Sequence, residues 1–141
     1  MIRTFQNTDI QQVMDIWLNS NLDAHPFIPK EYWTSNYDMV TGQIAQAEVY
    51  VAETDGSIQG FIGLADTYIA GIFVDQTYRS MGIGTQLLEY AKARKNTLSL
   101  SVYQQNKRAV DFYLREGFSV NSESLDEETG AIEYTMCWKK Q

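Results

Sequence analysis

A mixed α/β fold, one sheet with helices on both faces, follows from three features of this 141-residue sequence. Apolar residues recur at spacings of three and four in some stretches and at alternate positions in others. Turn signals such as Asp55-Gly56 separate the alternating stretches. The two kinds of stretch interleave along the chain, as a sheet covered by helices requires.

Taken in order, Ile2 to Gln6 reads as a short strand. Thr8 or Asp9 caps a helix whose apolar side carries Ile10, Val13, Met14 and Trp17. Asn21 to Lys30 holds both prolines, Pro26 and Pro29, and reads as a loop. A second helix, Glu31 to Ala45, packs Trp33, Tyr37, Val40 and Ile44. Glu48–Thr54 and Ser57–Ala65 form a hairpin about Asp55-Gly56. Tyr68 to Asp75 is apolar and continuous enough to lie centrally in a sheet. A glycine-containing turn then opens a helix with Ile83, Leu87, Leu88 and Ala91 inward. Thr97 to Val102 alternates like a strand, and Asn106 to Glu116 is a short helix ended by Gly117. Phe118–Leu125 and Ile132–Trp138 are the last strands, flanking the acidic turn Asp126 to Gly130. The expected order is β-α-α-β-β-β-α-β-α-β-β, a single domain over residues 1–141.

Composition narrows the function. Eleven basic and 18 acidic residues give a net charge of −7, which disfavours general nucleic-acid binding. No apolar run approaches the ~20 residues of a membrane span, and the start has no secretory apolar region. The single cysteine, Cys137, forms no internal disulfide, so a reducing, cytoplasmic setting is expected. No His, Cys or Asp cluster has metal-ligand spacing. The charge is split: Arg79 to Arg115 holds seven basic and two acidic residues, net +5, and the remainder carries −12. An uneven split of this kind fits two kinds of partner, but arithmetic alone favours helix faces that simply solvate their charges.

The chemistry-bearing stretch is Arg79-Ser80-Met81-Gly82-Ile83-Gly84-Thr85. A helix start has free N–H groups and a partial positive charge, which suit phosphate. Gly82 and Gly84 let an anion approach the main chain, and Arg79 adds a charge-assisted contact. It is not a nucleotide-triphosphate loop, since Thr85-Gln86 follows Gly84. Nor is it a dinucleotide fingerprint, since the third glycine position is Leu87.

About thirty residues on, Asn106, Ala109, Phe112, Tyr113, Gly117 and Phe118 form a second block. Together the two blocks resemble those of the GCN5-related N-acetyltransferases (GNAT), which use acetyl-CoA, and the element order resembles theirs over essentially the whole chain. His25-Pro26-Phe27-Ile28 before Tyr32-Trp33, with Val102-Tyr103-Gln104 before Asn106, is further similar to small bacterial YiaC-type members directed at protein lysines.

The resemblance implies an acyl-CoA N-acyltransferase fold with acetyl-CoA in a splayed gap between the fourth and fifth strands. Backbone groups of Ile72 and Val74 would pair with the pantetheine arm, and an N–H near Phe73 would stabilise the oxyanion. Amides from Met81 to Thr85, taking in Gly82, Ile83 and Gly84, would hold the pyrophosphate with Arg79 and Ser80. Asn106, Ala109 and Phe112 would complete the cofactor site. Tyr113 would protonate the departing CoA sulfur as general acid.

The general base does not carry over. Many protein-directed relatives hold a glutamate where Leu100-Ser101-Val102 places Ser101, and a serine is no comparable base. Tyr68, Glu31, His25 and Tyr103 remain as candidates, with Tyr68 first by its position. His25 also reads as a loop residue, and Cys137 as a small core residue.

The expectation is direct acetyl transfer to a primary amine: a protein lysine, an N-terminus or a small amine. The acidic remainder of the chain would attract it. No metal, nucleic acid or membrane is expected, and a homodimer is compatible with the sequence. The contrasting reading is a non-catalytic acyl-CoA sensor on the same fold.

Overall fold

The computed structural model describes residues 1–141. Seven strands form one mixed sheet in the order β1-β2-β3-β4-β5-β7-β6. They are β1 (Ile2–Thr4), β2 (Glu48–Thr54), β3 (Ser57–Ala65), β4 (Tyr68–Val74), β5 (Thr97–Tyr103), β6 (Ser119–Asp126) and β7 (Ala131–Lys139). The helices are α1 (Ile10–Ala24), α2 (Lys30–Ser35), α3 (Tyr37–Gln46), α4 (Ile83–Lys92) and α5 (Lys107–Arg115). All pairings are antiparallel except β4 with β5.

Two cores cover the two sheet faces. Leu87, Leu88 and Ala91 of α4 pack with Leu98, Leu100 and Met136 on one face. Val13, Met14 and Trp17 of α1 pack with Trp33, Val49, Val51 and Phe61 on the other. Leu88 is fully buried, and its truncation to Ala costs about 2–5 kcal/mol.

Three local expectations change. The helix expected over Glu31–Ala45 is broken in two at Asn36, whose side-chain amide donates to the Tyr32 carbonyl at 2.6 Å. Such local bonding competes with the helical ladder. The loop expected from Asn21 begins later, at His25, because α1 runs on to Ala24. The Asn21 amide donates back to the Trp17 carbonyl at 2.8 Å instead of starting a turn. Finally, Asp9 does not cap α1 with its side chain. Its carboxylate accepts from both terminal nitrogens of Arg3, at 2.8 and 2.9 Å, and from the Gln6 N–H.

The feature that shapes the site is an irregularity in β4. Gly63 pairs with Gly71 but Leu64 pairs with Ile69, so Ala70 is an extra residue on β4. A bulge of this kind bends its strand and shifts which side chains face which way. Before it, Ile69 packs into the α4 core; after it, Ile72 and Val74 do, and Phe73 joins the α1 core. The β4–β5 ladder stops at the same place, with pairs only at Tyr68–Ser99 and Ile69–Leu100. From Ala70 to Val74 the side of β4 facing β5 is open.

Candidate active site

The open edge of β4 forms one wall of a cleft of about 570 Å³. Asp75 N–H donates to the Gln59 carbonyl at 2.9 Å, which fixes the alternation along β4. Phe73 therefore turns its N–H and C=O to β3, and the backbone groups of Ile72 and Val74 face the gap. Phe73 offers its ring rather than its N–H. That ring lies over Gly71, where any Cβ would collide with it.

At the end of the cleft next to α4, Gly82 has φ +82° and immediately precedes the helix, with no atom within 4 Å of where a Cβ would stand. The left-handed backbone conformation suits glycine, and the open space leaves the main chain accessible from the cleft. Gly84 is filled from behind by the Phe112 ring, 3.4 Å from a virtual Cβ. Arg79, Ser80, Ile83 and Thr85 also line the cleft. The Met81 side chain does not: it points outward and is 65% exposed. Arg79 is paired with Asp23 of α1 at 2.6 Å.

The opposite wall is α5. Asn106 caps it, its Oδ1 accepting from the Ala109 N–H at 3.2 Å. Ala109, Phe112 and Tyr113 follow into the cleft. Tyr113 is 7% exposed, and its hydroxyl makes no hydrogen bond within the chain. Burial, with a smaller contribution from Tyr68, pushes the phenol well above its usual range, so it remains a proton donor. Tyr68 itself stands outside the cleft lining, 40% exposed at the start of β4.

His25 is buried beside these groups, stacked on Trp33 at 5.2 Å and edge-on to Tyr103 at 5.1 Å. Its Nε2 lies 3.2 Å from the Asn106 amide nitrogen. Since Asn106 Oδ1 is already capping α5, the amide must donate and Nε2 must accept. The imidazole proton then sits on Nδ1. The Asn21 backbone carbonyl lies near the ring but makes no aligned hydrogen bond with it. Burial pulls the imidazole down to about 4. A neutral His25 with its lone pair committed to Asn106 is not a free base. Tyr103 is likewise committed: its hydroxyl donates to Asp126 Oδ2 at 2.8 Å, and burial with that bond raises its phenol.

Thirteen of the fifteen site residues read from sequence line this one cleft; Tyr68 and Met81 are the exceptions. Sequence reasoning missed the wall supplied by Ser20, Asn21 and Ala24 of α1, a stretch assigned partly to a loop. It also missed Arg108, Asp111 and Arg115 in the lining. Their spacing on one helix carried the signal, since residues three, four and seven apart share a face.

Residues 45–120 match the acetyltransferase (GNAT) domain. The chain is 33% identical over 140 residues to the peptidyl-lysine N-acetyltransferase YiaC of Escherichia coli, covering 98% of this chain and 96% of that one. The solution structure of apo YjaB from Escherichia coli superposes with a TM-score of 0.88 at 27% identity, over 100% of this chain and 98% of that one. A PaiA N-acetyltransferase from Thermoplasma acidophilum in complex with coenzyme A shares the fold, with a TM-score of 0.83 at 22% identity, covering 99% of this chain and 98% of that one. With the interrupted β4–β5 ladder and the glycine turn before α4, these matches establish that the chain belongs to the GNAT acetyltransferase family.

Proposed function

We propose that residues 1–141 form one acetyltransferase domain that moves the acetyl group of acetyl-CoA directly to the side-chain amine of a peptidyl lysine. The fit to the cosubstrate rests on the cleft. It offers an unpaired strand edge for an extended amide-bearing arm and a helix start with an open, left-handed glycine for phosphate. Ile72 and Val74 would hold the arm, and Gly82 to Thr85 with Arg79, Arg108 and Arg115 the phosphates. Arg79 would turn from, or share, its pairing with Asp23. The lysine acceptor follows the naming of two Escherichia coli proteins similar to this chain, YiaC and YjaB, the latter 31% identical to this chain over 131 residues.

Acetyl-CoA supplies an activated thioester; the chain supplies position and protons. The single observation that carries the reading is Tyr113: a buried, un-ionised phenol without an internal partner, across the cleft from the open edge of β4. It protonates the departing thiolate, a general-acid role of the kind worth about 10²–10⁴ in rate. Asn106 is tied to both α5 and His25 and so fixes where α5 begins. Tyr113→Phe keeps the ring and removes only the phenol. The expected result is a fall in kcat of about 100-fold or more with CoA affinity unchanged, measured by thiol release and calorimetry. Full turnover in Tyr113→Phe would remove the acid role.

A further inference from the structure

A lysine ammonium has a pKa near 10.4 and must lose a proton before it can attack a thioester. His25 and Tyr103 are both committed to other hydrogen bonds, and Ser101 offers no carboxylate. The sheet register places another candidate on the same face. Directly opposed residues of an antiparallel pair share a face, so Ser101–Thr135 and Tyr103–Glu133 set four side chains side by side. Tyr103 packs on His25 and Phe27, which identifies that face as the one α1 and α2 adjoin. Glu133 is thus the diagonal neighbour of Ser101, one strand over, a separation of ~7–8 Å that a long side chain can bridge. Ser101 and every β6 residue from Ser119 to Leu125 are exposed.

We propose that Glu133 is the general base of the acetyl transfer, taking the place that Ser101 leaves vacant. The assignment rests on the transfer reading above and adds its missing proton acceptor. Before attack the carboxylate takes one proton from the alkylammonium, leaving a neutral amine and a neutral carboxylic acid; a water between them can relay it. Glu133 is half-buried and makes neither a hydrogen bond nor an ion pair through its side chain, so its lone pairs are free. Burial and the nearby Asp126 raise its proton affinity, the direction a base near neutral pH needs.

The rival carboxylates of the same region are spoken for. Asp126 accepts from the Tyr103 hydroxyl and the Glu128 N–H, which hold it low despite its burial. Glu128 accepts from the Tyr32 hydroxyl at 3.3 Å. Glu123 pairs with Tyr134 and so lies on the other face. The titratable groups facing Glu133 are Asp126 at the end of β6 and Tyr103 on β5, and Tyr32 of α2 with Glu128 of the turn adjoins those two.

The test follows CoA release from acetyl-CoA and a lysine peptide between pH 7 and 10, for the unsubstituted protein, Glu133→Gln, Glu133→Asp and Asp126→Asn. Glu133→Gln is expected to lose about 100-fold in kcat/KM for the peptide at pH 7, with CoA affinity unchanged. The deficit should shrink toward pH 10, where the amine sheds its own proton. Glu133→Asp should fall between the two, and Asp126→Asn should keep most of the activity. A Glu133 that merely attracted the cation would raise KM for the peptide and leave kcat intact; that outcome overturns the assignment. So does near-normal turnover in Glu133→Gln, or a loss in Asp126→Asn that Glu133→Gln lacks. No amine-dependent release by the unsubstituted protein would instead overturn the transfer reading, and the base with it.

Discussion

Gly82 and Gly56 have nearly the same backbone, φ +82° and +81°, and neither has an atom within 4 Å of where a Cβ would stand. Gly82 precedes α4 in the cleft; Gly56 turns the β2–β3 hairpin far from it in the fold. An L-residue in this left-handed region costs roughly 1–2 kcal/mol, and neither site adds a steric clash. Gly82→Ala and Gly56→Ala should therefore destabilise the fold about equally, lowering Tm by a few degrees each. They should differ in ligand binding. A methyl group at position 82 stands in front of the α4 N-terminus and denies a phosphate one charge-assisted hydrogen bond, worth about 1.5–3 kcal/mol. The expected loss of CoA affinity is about 10- to 100-fold for Gly82→Ala and none for Gly56→Ala. Paired thermal melts and calorimetric titrations with CoA read both quantities. Equal melting shifts with equal, unchanged CoA affinity would refute the placing of the diphosphate at this turn.

Two other expectations rest on charges near the cleft. His25 has a folded pKa near 4 against about 6.5 unfolded, so the unfolded chain binds the extra proton between those values. Stability from this site is complete above pH 6.5 and is lost as pH falls toward 4, by up to about 3 kcal/mol. His25→Phe, which keeps an aromatic ring on Trp33, should flatten that part of the profile in denaturant titrations; an unchanged slope would place the effect elsewhere. Arg79→Ala removes a partly exposed ion pair with Asp23 and should shift stability by less than ~1 kcal/mol, yet weaken CoA binding several-fold. A loss of stability without a loss of affinity would make Arg79 a structural residue.

What could be read from the sequence was local. The Asp55-Gly56 hairpin, the glycine turn before α4 and the short helix beginning at Asn106 depend on neighbouring residues and stand as expected. The bulge at Ala70 was hidden because Tyr68–Val74 is apolar throughout, and a continuous apolar run does not reveal which residue is extra. Asn36 breaks a helix whose apolar spacing runs through it, since its amide finds the Tyr32 carbonyl. The α1 wall went unseen because prolines at 26 and 29 drew the loop boundary too early. Long-range partners were beyond reach altogether: Asp23 lies 56 residues from Arg79, and His25 lies 81 from Asn106. The charge split was visible, but of its seven basic residues only Arg79, Arg108 and Arg115 line the cleft.

The most direct test of acetyl transfer is a single incubation of the protein with acetyl-CoA and a lysine-containing peptide, followed by both thiol release and peptide mass. The expected result is CoA release that requires the peptide, with one acetyl group gained on the lysine side chain for each CoA freed. Tight CoA binding without turnover on lysine peptides, N-terminal amines or polyamines would contradict it and identify an acyl-CoA sensor.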